Sequence, residues 1–83
     1  MKVAIYSYNS TLLEAEETES ISLPGISGQF CIYPKHIAFV TLLKEGTISV
    51  SYKEGKTPRV KEIKIKEGIF SIKNDEAIAV VTL

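Results

Sequence analysis

Apolar and polar residues alternate with a period of two along most of this chain, in short runs closed by turn-forming residues. Val3 and Ile5 alternate with Lys2, Ala4 and Tyr6, and Ile21 and Leu23 with Ser20 and Ser22. Ile48, Val50 and Tyr52 alternate with Thr47, Ser49 and Ser51, and Ile63 and Ile65 with Glu62, Lys64 and Lys66. Successive strand side chains point to opposite faces, so each run reads as a strand with one dry face and one wet face. Between the runs lie Asn9-Ser10, Pro24-Gly25, Glu45-Gly46, Glu54-Gly55 and Lys73-Asn74-Asp75, residues that favour turns. Short strands at this spacing predict an all-β fold, a two-layer antiparallel β-sandwich over residues 1–83.

The expected core is Val3, Ile5, Ile21, Leu23, Ile32, Ile48, Val50, Ile63, Ile65, Phe70, Ile72, Ile78 and Val80. Residues 77 to 83, Ala-Ile-Ala-Val-Val-Thr-Leu, are apolar on both faces, which predicts a central strand covered on both sides. Two stretches are compatible with more than one state. Leu12 to Ser20 is glutamate-rich and helical by propensity alone, and His36 to Lys44 has apolar residues at 37, 40 and 43. Pattern alone leaves both open.

Eighty-three residues suit one domain. A chain this short buries only about 60 to 65% of the surface its unfolded form exposes. No run approaches the roughly 18 apolar residues of a membrane-spanning helix, and Met1-Lys2 leads into an alternating strand rather than a signal peptide. The single cysteine cannot form an internal disulfide. Zero formal net charge argues against electrostatically driven nucleic-acid binding. The charges are segregated, however. Residues 1 to 34 carry one lysine against four glutamates, and residues 35 to 83 carry nine basic and six acidic residues. That fits two solvated faces or a bipolar domain set between two different partners.

No catalytic constellation emerges. Cys31 and His36 are the only plausible nucleophile and base, but they lie five residues apart across a proline loop, with no oxyanion turn after the cysteine. Cys31, between Phe30 and Ile32, reads instead as a small apolar residue, buried or half-buried. One histidine and one cysteine fall short of a structural zinc site. Glu14, Glu16, Glu17 and Glu19 lack the glycine and spacing of a calcium loop. No Gly-x-x-x-x-Gly-Lys cradle for phosphates is present. The sequence therefore predicts no metal, no cofactor and no enzyme activity, and points to recognition.

The segment suited to recognition runs from Pro24 to His36, Pro-Gly-Ile-Ser-Gly-Gln-Phe-Cys-Ile-Tyr-Pro-Lys-His. Proline fixes φ and glycine admits positive φ, so this is a loop, a short strand and a second loop. Tyr33-Pro34-Lys35-His36 forms a rigid, partly aromatic ledge. Tyr6 and Tyr8 are expected on the outer side of the first strand, where tyrosine favours an interface.

The pattern Pro-Gly-x-x-Gly-x-Phe-x-Ile-x-Pro-x-His over these residues resembles the epsilon subunit of F-type ATP synthases. Leu43-Lys44-Glu45-Gly46 is similar to that family's Leu-x-Pro-Gly turn, and Gly68-Ile69-Phe70-Ser71-Ile72 to its Gly-Phe-x-x-Val strand. Ala77 to Leu83 matches its closing strand. The departures are Ala38 and Glu45 in place of prolines, and Glu67 in place of the first of two glycines. Near the start, the family's apolar pair falls close to Glu14 and Thr18, and Leu12 and Leu13 fill that role only after a small register shift.

The resemblance implies a strand or extended chain for both open stretches. It implies a non-catalytic rotor subunit joining the gamma subunit to the c-ring, and so coupling proton flow to ATP synthesis. The expected location is peripheral, on the cytoplasmic face of an energy-transducing membrane such as a bacterial inner membrane. Position by position, it implies a gamma-facing surface at His36, Phe39, Thr41 and Tyr8. It implies a c-ring-facing loop at Ile26, Ser27, Gly28, Gln29 and Phe30, with neutral Gln29 where relatives commonly carry an acid. Relatives continue from the last strand into two helices that carry inhibition and, in some, ATP binding. The resemblance implies neither property for these 83 residues. Competing readings are a free-standing β-sandwich adaptor with one partner, a carrier domain modified at Lys53 or Lys56, and a small hydrolase using Cys31.

Overall fold

A computed structural model describes residues 1–83. It contains nine strands and no helix: β1 (Lys2–Ser7), β2 (Ser10–Ala15), β3 (Glu17–Gly25), β4 (Gly28–Ile32), β5 (Phe39–Leu43), β6 (Gly46–Glu54), β7 (Thr57–Ile65), β8 (Glu67–Lys73) and β9 (Glu76–Thr82). They pair in the order β2-β1-β9-β8-β5-β3-β6-β7, with β4 also on β3. The β1–β9 pair is parallel and the other pairs are antiparallel. Strands β3 and β5 meet only at Gly25 and Leu43. At that corner the sheet curls over, bringing β1 near β3 and β2 near β6. The result is a β-sandwich, one layer built on β2-β1-β9-β8-β5 and the other on β3, β4, β6 and β7.

The inward residues of both layers form one cluster, with Ile5, Ile21, Leu23, Ile48, Val50 and Phe70 fully buried. Both open stretches are extended. Leu12 to Ser20 supplies β2 and the start of β3, and β5 begins at Phe39 after a loop. Two bulges explain why apolar spacing there departs from two. The β1–β2 register shifts between Ile5 and Tyr6, whose partners are Leu13 and Thr11. Leu12 is the extra residue, so consecutive Leu12 and Leu13 both pack against the core. A second shift at Glu19 lets Thr18 and Ile21, three apart, both be buried.

Strand β9 corrects the sequence-based core. Ile78 and Val80 are 43% and 47% exposed, while Ala77, Ala79 and Val81 face inward. The strand is central within its layer, between β1 and β8, but only one of its faces is covered. Phe70 lies opposite Ala79 and Ile72 opposite Ala77. Large side chains on β8 fill the core volume, and only alanine-sized neighbours fit beside them. The other predicted core residues are all buried, and Leu43 and Ala15 join them.

Strand β8 leaves no room for a side chain at Gly68. A Cβ on Gly68 would lie 2.7 Å from the Val80 carbonyl oxygen and 2.9 Å from Val81 Cγ1. Gly68→Ala is therefore expected to cost about 1 to 3 kcal/mol, as overpacking does. A urea titration showing a loss below about 0.5 kcal/mol, the level of a neutral surface change, would mean that the strands yield freely.

Candidate functional site: an apolar face and its two ends

The outer face of β5-β8-β9-β1 carries the wrong chemistry for solvent. Leu42, Ile69, Val80 and Tyr6 lie in register across these four neighbouring strands. A second row runs Val40, Ser71, Ile78 and Ala4. Val40, Leu42, Ile69, Ile78 and Val80 are all exposed. Four strands at about 4.8 Å spacing make a band about 14 Å across, and contiguous apolar surface on that scale marks an interaction site rather than ordinary surface. At one end of the band, Ile26, Leu42, Ile69, Val80, Glu67 and Thr82 help to line an open groove of about 460 Å³. The outer face of the opposite layer is unlike this. Ser20, Ser22, Thr47, Ser49 and Ser51 line its centre.

The band ends in two different structures. At the end where β1 and β5 begin, the loop after β4 presents exposed Tyr33, His36 and Ile37. His36 Nδ1 and the Ile37 carbonyl oxygen are 2.7 Å apart. The carbonyl can only accept, so Nδ1 carries the proton and Nε2 is left as the free ring position. The His36 ring lies 5.1 Å from Phe39, which meets Phe30 and Phe70 at 5.9 Å each. An aromatic chain thus runs from the loop into the core. At the other end, Pro24-Gly25 turns into an exposed tip of Ile26 and Ser27. Ile26 N donates to the Leu42 carbonyl at 3.1 Å, and Lys44 N to that of Pro24 at 2.9 Å. Gly28 sits at φ 133°, a conformation that a side chain would strain.

Residues singled out from sequence fall on different parts of this arrangement. His36 is exposed at the first end. Tyr8 is 99% exposed, but it lies in the β1–β2 turn beyond β1, at the opposite end beside Thr82 and Leu83. The six residues of β1, about 20 Å at 3.3 Å each, separate the two ends. Phe39 and Thr41 are half-buried on the inward side of β5, opposite Ile72 and Phe70. Ile26 and Ser27 at the tip and Gln29 just inside β4 are exposed, and Gly28 is half-buried. Phe30 turns inward to the aromatic cluster. Gln29 Nε2 donates to Ser22 Oγ at 2.6 Å.

Sequence reasoning passed over Val40, Leu42 and Ile69, and it assigned Ile78 and Val80 to the core. Their signal was visible as apolar residues on the second face of strands whose first face was already apolar. The segregated charges are partly reunited by folding, since Glu14, Glu16 and Glu17 border the β6–β7 hairpin beside Lys53. Cys31 is exposed on the outer side of β4 rather than half-buried.

The chain is thus a curled all-β sandwich with an apolar outer face on one layer and a structured loop at each end of it, the architecture of a small binding domain rather than of an enzyme cleft. The family model for the β-sandwich domain of the ATP synthase delta/epsilon chain matches residues 1–82, and the chain belongs to that family. It is 32% identical over 65 residues to an ATP synthase epsilon chain of a Nitratiruptor species, covering 78% of this chain and 48% of the relative. It is 30% identical over 81 residues to that of Sulfurimonas denitrificans, covering 98% and 59%. The chain thus spans about half the length of the curated relatives it matches. The fold recurs in a chain from the central stalk and c-ring of the Tetrahymena thermophila mitochondrial ATP synthase, with a TM-score of 0.84 at 15% identity. That match covers 100% of this chain and 63% of the other. A chain of the Euglena gracilis mitochondrial ATP synthase gives 0.84 at 16% identity, covering 98% and 49%.

Proposed function

We propose that this chain is a non-catalytic rotor-stalk subunit of an F-type ATP synthase, linking the gamma subunit to the c-ring at the surface of an energy-transducing membrane, such as a bacterial inner membrane. The observation that carries this reading is the apolar outer face of β5, β8, β9 and β1 on a domain of this family. Leu42, Ile69, Val80 and Ile78 form the centre of the gamma-facing surface, with His36 at one end and Tyr8 at the other. Phe39 and Thr41 support that surface from behind. Ile26, Ser27 and Gln29 are offered to the c-ring at the tip, where Gln29 engages its partner through neutral hydrogen bonds.

The role is mechanical. The domain clamps ring to gamma so that rotation reaches the catalytic head without slip. A close-packed core transmits strain with little compliance, and the aromatic chain from His36 to Phe70 ties the loop to that core. The test is addition to a purified synthase depleted of its epsilon chain. The expected result is stoichiometric binding and more protons pumped per ATP hydrolysed. Failure to bind the depleted complex would favour a free-standing adaptor with a single partner.

A further inference from the structure

We propose that Asp75, in the turn between β8 and β9, is the positioning residue for the loop that carries His36. The observation is one contact across forty residues of sequence. Asp75 Oδ1 accepts a hydrogen bond from the Lys35 backbone N–H at 2.7 Å. Asp75 also touches the start of β1. Its carbonyl accepts from Lys2 N at 3.0 Å, and Oδ2 lies 3.4 Å from the amino group of Met1. Three segments therefore meet at one residue.

The backbone on both sides of the contact is what makes this more than a surface hydrogen bond. Lys73 and Glu76 pair across the turn, leaving Asn74 and Asp75 at its centre with φ of 52° and 60°. A two-residue turn of this hand favours Asn-Gly, because both central residues need positive φ. Here the second position is an aspartate, which carries a steric penalty that glycine avoids. Lys35 has φ 66°, again without glycine. Two unfavourable backbones, joined by one short hydrogen bond to a carboxylate, are held only if the surroundings over-determine them. Lys35 immediately precedes His36, so the carboxylate sets the direction in which the imidazole leaves the loop. The same bond, followed by the charges of Met1 and Lys35, holds the Asp75 carboxyl below the usual aspartate range against the opposing effect of burial.

The consequence for partner binding rests on the function proposed above, but the positioning itself does not. Asp75→Gly separates the turn from the clamp, since it creates the preferred Asn-Gly pair and removes the acceptor. Asp75→Asn keeps an acceptor and a residue that tolerates positive φ. In nuclear magnetic resonance spectra of the 83-residue chain, the Lys35 amide proton is expected to titrate together with Asp75 in the wild type. In Asp75→Gly, Lys35 amide exchange should accelerate about tenfold or more, the loss of a hydrogen bond to a charged group. His36 ring signals should shift, while Ile72 and Ala77 stay protected. Asp75→Asn should restore the exchange rate and the ring signals. An unchanged Lys35 amide in Asp75→Gly, or an Asn variant as disturbed as the Gly variant, would overturn the proposal. A disturbed loop with undiminished capture of the gamma subunit would uphold it and overturn the assignment of His36 to the partner surface.

Discussion

Leu42→Glu combined with Val80→Asp is expected to abolish capture of the gamma subunit while leaving the domain folded. Both residues are about half exposed, so their charged replacements stay in water in the free domain and cost it little. On docking, both charges would be stripped of water against apolar surface. One uncompensated buried charge costs about 3 to 5 kcal/mol, and two such sites weaken binding by at least about 100-fold even if the interface relaxes around them. The lost apolar contact adds about 1 kcal/mol per residue for the half still exposed in the free chain. The control is Ser49→Asp with Ser51→Asp on the outer face of the opposite layer, which should bind as the wild type does. Titration calorimetry against purified gamma subunit measures the affinity, and thermal melting checks the fold. Retention within about twofold by the Leu42/Val80 variant, less than about 0.5 kcal/mol, would remove this face from the interface.

The second large effect lies in the core. Phe70→Ala is expected to remove between about a quarter of the domain's stability and all of it. Phe70 is 0% exposed and its ring meets both Phe30 and Phe39. Removing a buried phenylalanine costs about 3 to 5 kcal/mol. A domain of this size holds about 4 to 12 kcal/mol in total, at roughly 0.05 to 0.15 kcal/mol per residue. The informative comparison is between Ile72→Ala and Ile78→Ala, isoleucines on adjacent strands with opposite orientation. Ile72 is buried and should lose about 2 to 5 kcal/mol. Ile78 points out, and its truncation should cost about 1 kcal/mol or less. Urea denaturation of both variants decides it. Equal losses would mean that β9 is turned the other way and that the bare apolar face does not exist.

The orientation of β9 is also where the sequence alone ran out. In most strands one face is apolar and the other polar, so alternation by itself determines which way the side chains point. Ile21 and Leu23 must go in because Ser20 and Ser22 can stay in water, and the same choice buries Val3 and Ile5 on β1, Ile48 and Val50 on β6, and Ile63 and Ile65 on β7. The turns were equally legible, because Pro24-Gly25 and Glu54-Gly55 interrupt the alternation. The two loops that flank β4 could be read from proline and glycine spacing between Pro24 and His36. Residues 77 to 83 contain no such contrast. Shifting the inward set by one residue costs this strand almost nothing locally, and the decision belongs to its neighbours. Phe70 and Ile72 fill the core beside it, leaving room only for Ala77 and Ala79, so Ile78 and Val80 are forced outward. The same registry aligns them with Ile69 and Leu42, and four scattered residues become one surface. The clamp at Asp75 has the same origin, since forty residues separate it from Lys35. Periodicity along a chain reports what each strand can bury. Only the pairing of distant strands decides what remains for a partner to cover.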